Sequence, residues 1–440
     1  MNKESSFLSD FFFNLNNSSI KYCVLRNYNL LPYSAGESDL DILINSTDAI
    51  EFTNLITNTA KTFNGKVVSY IDSDICPRIC ILGSDCNGWG LMVDLHYDII
   101  TYRGYTILSN KNVWLNTFQY NKIITALNPK ADALIGLFKE LLNNETCTEK
   151  YYLDFQKLAL DKEFLDDIFK DLNKSWLTAE LLKCKNINYS NQEINRLVNE
   201  LNKAFPKKSV NLFKKVKKFN RLFSQPGFTI AFLGTDGSGK TTLINSINLP
   251  LNEAFHKKVF YEHMRPNFIR SIAQLTGKNK TDKVVTNPHQ GKPSGFIGSF
   301  LRWLYYMFDY TFGFYFKIYR SKATTCCVWI FDRYYYDYLV DPVRARIKLP
   351  KWIIKLGQII IPEPDIIFCL GADSKHIYNR KPELSLKEVD RQVKQLEKFC
   401  QHHKNAVWID TSQDVSVATT IVLENLVNSM GKRFENVELS

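Results

Sequence analysis

The sequence has no apolar run long enough to cross a bilayer. Its longest aromatic-apolar stretch, WLYYMFDYTFGFYF at Trp303–Phe316, is interrupted by Asp309 and flanked by Arg302 and Lys317. It falls short of the ~18 residues that mark a spanning helix, so a buried aromatic helix is expected and no transmembrane segment. A secretory leader pattern is missing as well. MNKESSFLSDFFFNLNN has no basic stretch followed by an apolar stretch and a small-residue cleavage site, which leads to the expectation of a cytoplasmic protein. There is no disulfide framework. The ten cysteines are scattered and adjoin only at Cys326 and Cys327, as suits reduced thiols. CPRIC at Cys76–Cys80, with Cys86 nearby, has neither zinc spacing nor an accompanying histidine, so strand cysteines are expected there. Internal repeats and low-complexity tracts are absent too, which leaves changes of pattern as the guide to domain boundaries.

What is present is a folded composition. At 440 residues the chain is long for one core, and at roughly 100–200 residues per domain two or three are expected. Hydrophobic content of 45% with 23% charged residues lies outside the disordered range. The formal charge of +11 favours anionic partners without choosing among nucleotide, nucleic acid and acidic membrane. Nothing in the sequence reports the oligomeric state.

Residues 1–123 alternate strand-like runs (YCVLRNY, LDILI, GKVVSYI, RICILG, GLMVDLHY) with turn-rich segments, which predicts an α+β unit. Residues 124–205 turn helical, with apolar positions three and four apart in KADALIGLFKELLNN and FLDDIFKDLNKSWLTAELLKC. Residues 206–227 form a basic linker in which Leu212, Val216, Phe219 and Phe223 share one helical face and lysines fill the other. Such a helix lies on an anionic membrane or nucleic acid in the 207–221 stretch, or packs on a neighbouring domain with its lysines in water, and the second is favoured. Residues 228–440 alternate apolar runs (FTIAFLG, CCVWIFD, PDIIFCL, NAVWID) with long helical stretches, the pattern of a parallel α/β sheet covered on both faces.

The chemistry begins with GTDGSGKTT, Gly234–Thr242, directly after the run FTIAFL. Gly234, Gly237 and Gly239 let the backbone curl, so that N–H groups along Gly234, Thr235, Asp236, Gly237, Ser238 and Gly239 point at phosphate oxygens. Lys240 reaches the β and γ phosphates, Thr241 completes a Mg²⁺ shell, and Thr242 continues the helix. The loop therefore calls for ATP and Mg²⁺. Asp332, at the carboxyl end of the run VWIFD, is the second metal carboxylate or else a helix cap. NKTD at Asn279–Asp282 imitates a guanine-reading tetrapeptide, but it follows RSIAQLTGK, which is no apolar strand, and no Asp-x-x-Gly follows Asp332. A hydrolytic switch is thus disfavoured.

GTDGSGKTT, FDRY at a strand end, PDIIFCLGADSKHIYNRK and the following helix with Arg391 together resemble the thymidylate kinase family across Phe228–Asp410. The likeness is greatest to divergent bacterial members with segments like TNPHQGKP and DRYYYDYLVDPVR. The resemblance implies a P-loop α/β kinase that moves the ATP γ-phosphate to a nucleoside monophosphate. It implies that Asp236 faces the acceptor sugar, that Asp332 and Arg333 serve the metal and the transferring phosphate, and that Arg380 and Arg391 belong to a lid. Arg is suited to bidentate phosphate contact, and NRKPELSLKEVDRQ is basic enough to close over ATP; ordinary surface charge is the other use of these arginines. In place of the family's Arg-Glu-Pro stands YEHMRP, where Arg265 is the candidate for the acceptor phosphate. The acceptor is left open among dTMP, another phosphomonoester and a sugar.

The amino-terminal unit holds ESDLDILI and GLMVDLHYD. Residues two apart on a strand share a face, so Asp39 and Asp41 stand together, and Asp94 can join them around Mg²⁺. His96 falls on the same face as Asp94. The pattern resembles the nucleotidyltransferase superfamily over Tyr22–His96, with a helical bundle following to about Leu201. The Gly-Ser pair expected upstream is here Arg26 and Asn27. Active transferase, inactive relic and solvated strand face all remain open. Two further functions stay beside the kinase: a nucleotidyltransferase acting with the kinase half, and an ATP-binding regulatory module without turnover. Surface-polysaccharide synthesis is a setting that only the resemblance implies.

Overall fold

The computed structural model describes residues 3–36, 38–73, 76–85, 88–207, 225–269 and 295–435. Cys86, the segments Asn279–Asp282 and Thr286–Pro293, and the apolar face of the 206–227 linker lie outside the described residues.

The first sheet has seven strands in the order β3-β4-β5-β2-β1-β9-β8. They are β1 (Tyr22–Val24), β2 (Leu40–Ile44), β3 (Gly65–Ile71), β4 (Arg78–Gly83), β5 (Trp89–Tyr97), β8 (Thr117–Tyr120) and β9 (Ile124–Leu127), while β6 (Ile100–Tyr102) and β7 (Tyr105–Leu108) form a separate hairpin. The sheet is mixed: β2 runs parallel to β5 with Asp41 opposite Asp94, and antiparallel to β1. Because β9 is a member, this unit extends past residue 123.

Both faces of the sheet are buried, which explains the nearly unbroken apolar runs. One face carries Val24, Ile42, Ile81 and Val93 and is covered by the helices Lys3–Asn16 and Ala49–Thr62. The other face is divided. Cys23, Leu25 and Leu43 pack against the helices between Pro129 and Ala204. Val68, Cys80, Leu82 and Met92 pack against the helices Lys240–Phe255 and Val415–Gly431 of the carboxyl-terminal unit. The two halves of the chain therefore share a core. Gly90 makes this approach possible: a Cβ there would lie 2.2 Å from the Pro250 carbonyl oxygen and 2.4 Å from the Ala254 nitrogen. Arg433 also spans the seam, donating to the Val68 and Gly227 carbonyls at 2.9 Å each.

The second sheet is fully parallel, in the order β11-β12-β10-β13-β14. Its strands are β10 (Phe228–Gly234), β11 (Val259–His263), β12 (Val328–Asp332), β13 (Ile366–Gly371) and β14 (Ala406–Asp410). Helices cover both faces, so this is the expected parallel α/β unit. In a sheet of this kind ligands sit beyond the carboxyl ends of the strands. No described helix is long and apolar enough to cross a membrane. The aromatic helix Phe296–Gly313 is buried along Trp303, Met307 and Tyr310 but exposes Phe308 and Phe312, so the expectation of burial holds for one face of it.

Candidate active site

β10 is buried along its whole length and delivers Gly234 to the loop. A Cβ at Gly234 would lie 2.5 Å from the Ser238 hydroxyl and 2.9 Å from the Leu370 carbonyl, so the turn closes only on glycine. Gly237 and Gly239 have φ of +84° and +85°, conformations that side chains resist. The helix Lys240–Phe255 follows at once and points its amino-terminal end, where backbone N–H groups are unpaired and the dipole is positive, into the loop.

Lys240 is buried, and its ammonium donates to the Gly234 and Thr235 carbonyls at 2.9 Å each. Burial and then the neighbouring Arg333 pull its pKa down to about 7. Asp332 ends β12. Its Oδ2 accepts from the Tyr261 hydroxyl at 3.0 Å and lies 3.7 Å from His263 Nδ1, both on the adjacent β11. Burial pushes the Asp332 pKa up, but His263, Lys240 and Tyr261 outweigh it and hold it at about 2. Its Oδ1 is buried without a hydrogen-bond partner, as are the Thr235 and Ser238 hydroxyls. Thr241 is exposed at the cavity wall. An ionised carboxylate with a free buried oxygen near an exposed hydroxyl is a donor set that fits Mg²⁺.

The cavity measures about 410 Å³, within the usual range for small-ligand sites. It is lined by the loop, Asp332 and His263, by Arg344, Arg380 and Lys381, and by Thr411, Gln413, Val415 and Ala418. Arg380 is an exposed residue.

Arg333 reaches the cavity, but its fork is engaged elsewhere. It donates to Asp337 Oδ2 and Asp236 Oδ1 at 2.6 Å each and to the Gly234 carbonyl at 3.2 Å. Arg344 pairs with the other oxygen of Asp236. Burial raises the Asp236 pKa, and the two arginines more than reverse this, holding the carboxyl well below its usual range. Asp236 is thus held between two guanidiniums. Arg391 does not line the cavity; it bonds Glu388, Gln395 and the Val340 carbonyl. Arg265 does not line it either. It donates to the buried Asp309 at 2.7 Å and stacks on Tyr305 and Tyr306.

Sequence reasoning did not assign His263, Tyr261, Arg344, Lys381, Thr411 or Gln413. Arg344 was visible inside DRYYYDYLVDPVR, and His263 inside YEHMRP. Tyr261 was visible inside YEHMRP too, and Lys381 inside NRKPELSLKEVDRQ; Thr411 and Gln413 carry no local pattern.

The amino-terminal acids do come together: Asp39, Asp41 and Asp94 place an oxygen each within 4.8 Å of one another. They lie on the divided face of the first sheet. Asp41 is buried, accepts from Arg26 Nε at 2.5 Å and stands 3.4 Å from His96 Nε2. Arg26 also reaches Asp39 at 3.3 Å, and Arg78 holds both oxygens of Asp94 at 2.6 Å. Burial lowers the His96 pKa, but Cys76 and Asp41 lift it to about 10. Cys76, expected to lack a histidine partner, lies 3.7 Å from His96. Three carboxylates thus face two guanidiniums and the His96 ring. Arg26 and Arg78 supply the charge that a divalent cation would, and this donor set does not fit Mg²⁺ as it stands.

No protein-family model and no curated protein sequence matches the chain. Among solved structures it is similar to the thymidylate kinase from Ehrlichia chaffeensis, with 19% identity and a TM-score of 0.29, over 44% of this chain and 96% of that one.

Proposed function

We propose that the carboxyl-terminal unit is an ATP-dependent phosphotransferase that moves the γ-phosphate to a phosphomonoester, dTMP-like, or to a sugar. One observation carries this reading: Asp332, ionised and with a free buried oxygen, shares a cavity with Lys240, Thr241 and two further cationic side chains, Arg380 and Lys381. Phosphoryl transfer asks for positioning and charge neutralisation more than for covalent chemistry, and these groups supply both. Asp332 and Thr241 would hold Mg²⁺, which neutralises charge on the phosphates. Lys240 shifts from the loop carbonyls to phosphate oxygens, and Arg380 and Lys381 cover the site. The acceptor oxygen, either an anionic phosphate oxygen or a sugar hydroxyl that releases its proton to solvent, bonds to the γ-phosphorus as the bridging bond to the β-phosphate breaks, leaving ADP.

The test is labelled ATP with a panel of monophosphates and sugars, followed by identification of the product. Transfer to one acceptor class, lost in Lys240→Ala, is expected. ATP binding without turnover across the whole panel would favour a regulatory module and defeat the kinase reading.

A further inference from the structure

The segment Pro342–Pro362 contains Arg344, Arg346, Lys348, Lys351 and Lys355 and no acidic residue. Its helix, Lys351–Ile360, buries Ile353, Ile354 and Gly357. At Gly357 it meets Tyr335 and Met307, where a Cβ would lie 2.1 Å from the Tyr335 hydroxyl oxygen and 2.8 Å from the Met307 sulfur. A surface helix of a soluble protein turns polar residues outward. This one turns out Trp352 (63% exposed), Leu356, Ile359 (82%) and Ile360, with only Lys351 and Lys355 among them.

The adjoining aromatic helix does the same. Ile297, Leu301, Phe308 and Phe312 recur four or seven apart and are exposed, as is Phe316 in the helical turn Phe314–Tyr319 that follows, with Phe308 stacked on Phe312 at 5.2 Å. Its one acidic residue, Asp309, is fully buried on Arg265. Arg302 joins the two segments by donating to the Ala345 carbonyl. Exposed apolar area on this scale marks a contact surface. The charges select its partner. A second copy brought face to face about this helix would set Lys351 and Lys355 near their own kind, with Glu363 just past the segment as the acid nearest in sequence. Nucleic acid would satisfy the lysines and leave the apolar side chains in water. An anionic bilayer meets both demands: apolar side chains enter the acyl boundary, the Trp352 ring sits at headgroup depth, and the lysines meet lipid phosphates.

We propose that the helix Lys351–Ile360, with the neighbouring helix Phe296–Gly313, docks the protein on an anionic membrane surface. The docking segment begins at the wall of the phosphate cavity, since Arg344 belongs to both.

The experiment is co-sedimentation of the full chain with vesicles of phosphatidylglycerol and phosphatidylcholine, and with phosphatidylcholine alone. Binding to the anionic vesicles that weakens with salt is expected, with little binding to the neutral ones. Lys351→Glu with Lys355→Glu should weaken it at least about 25-fold, at roughly fivefold per lysine. Ile359→Asp should weaken it too. These side chains are exposed, so circular dichroism melts should match the parent. The control Lys157→Glu with Lys162→Glu, exposed lysines in the helical unit, should bind like the parent. In the unaltered protein, brominated lipid should quench tryptophan emission, and Trp352→Phe should lose most of that quenching. The proposal is overturned by absence of vesicle binding, by equal loss in the control, or by a dimer that Ile359→Asp converts to monomer without any vesicle binding.

Discussion

Arg333 donates to Asp236 at 2.6 Å from a backbone held at φ +74°, and the same guanidinium reaches Asp337, so one side chain ties the phosphate loop to the end of β12. A left-handed conformation at a non-glycine residue costs of order 1 kcal/mol and persists where surrounding contacts fix it. Asp236→Asn strips the shared acid from Arg333 and Arg344. The expected result is a loss of about 3 kcal/mol in stability, because uncompensated charge is left in a buried site, together with a fall in turnover. Arg333→Lys keeps the charge without the fork and should lose turnover as well. Denaturant melts and steady-state rates on both variants check this. If Asp236→Asn melts like the parent, the clamp is not structural.

Asp332→Asn retains size and one acceptor oxygen but removes the charge. On the proposed function, turnover should fall by roughly 100-fold or more, and the Mg²⁺ concentration for half-maximal rate should rise. Arg391→Ala, by contrast, should change turnover by less than about threefold, since Arg391 is engaged by Glu388 and lies off the cavity wall. Removing Mg²⁺ with a chelator should stop turnover in the parent. Rate measurements across a Mg²⁺ series separate these outcomes.

The phosphate loop was legible because its chemistry is local: three glycines, a lysine and a threonine at fixed spacing make the cradle with no help from distant residues. The parallel sheet was legible where strands are buried on both faces, as in β10, β12 and β13. β11 escaped because it is an edge strand whose residues Val259–His263 are partly or fully exposed and whose apolar run is only Val-Phe-Tyr, yet it carries His263 and Tyr261 to Asp332. Arg391 and Arg265 were assigned to phosphate by resemblance, and their partners, Glu388 and Asp309, are set by tertiary contacts that spacing does not reveal. The shared core was hidden for a similar reason. Cys80, Leu82 and Met92 read as interior residues of one unit, and the sequence does not say that the interior they enter belongs partly to another.

In the acid cluster, Arg26 and Arg78 should exclude divalent ions. Without nucleotide, the parent is expected to show no Mn²⁺ binding that Asp39→Asn with Asp41→Asn removes, as read by electron paramagnetic resonance. Arg26→Ser frees oxygens on Asp39 and Asp41 and should create a weak Mn²⁺ site that the same pair of asparagines abolishes. A tight, Asp41-dependent Mn²⁺ site in the parent would instead revive the nucleotidyltransferase reading.

The seam between the two units should be intolerant of volume. Gly90→Ala places a methyl against the Pro250 carbonyl and the Ala254 backbone, neither of which can swing aside as a side-chain tip does. A loss of about 1–3 kcal/mol is expected, with earlier proteolysis between the halves. Thermal melts and limited proteolysis would show it.

The same seam carries a pH dependence. Glu253 accepts from the Gly90 N–H at 3.1 Å beside a cavity of about 220 Å³ that also holds Glu4, His256 and Lys257. Burial, then the charge of Glu4, raises its pKa to about 7 from an ordinary 4.5, with the Gly90 N–H opposing. Because the folded value lies above the unfolded one, the folded protein holds the proton more tightly between those limits, and stability falls as pH rises across that window. Below 4.5 both states are protonated and there is no cost; above 7 both are ionised and the cost is complete. Glu253→Gln keeps an acceptor for Gly90 and removes the charge. It should stabilise the protein at pH 8 by on the order of 1 kcal/mol, the shift being discounted for partial exposure. No gain is expected near pH 4.5. Melting curves of parent and variant at the two pH values decide this, and an equal gain at both would show that Glu253 is not the titrating group.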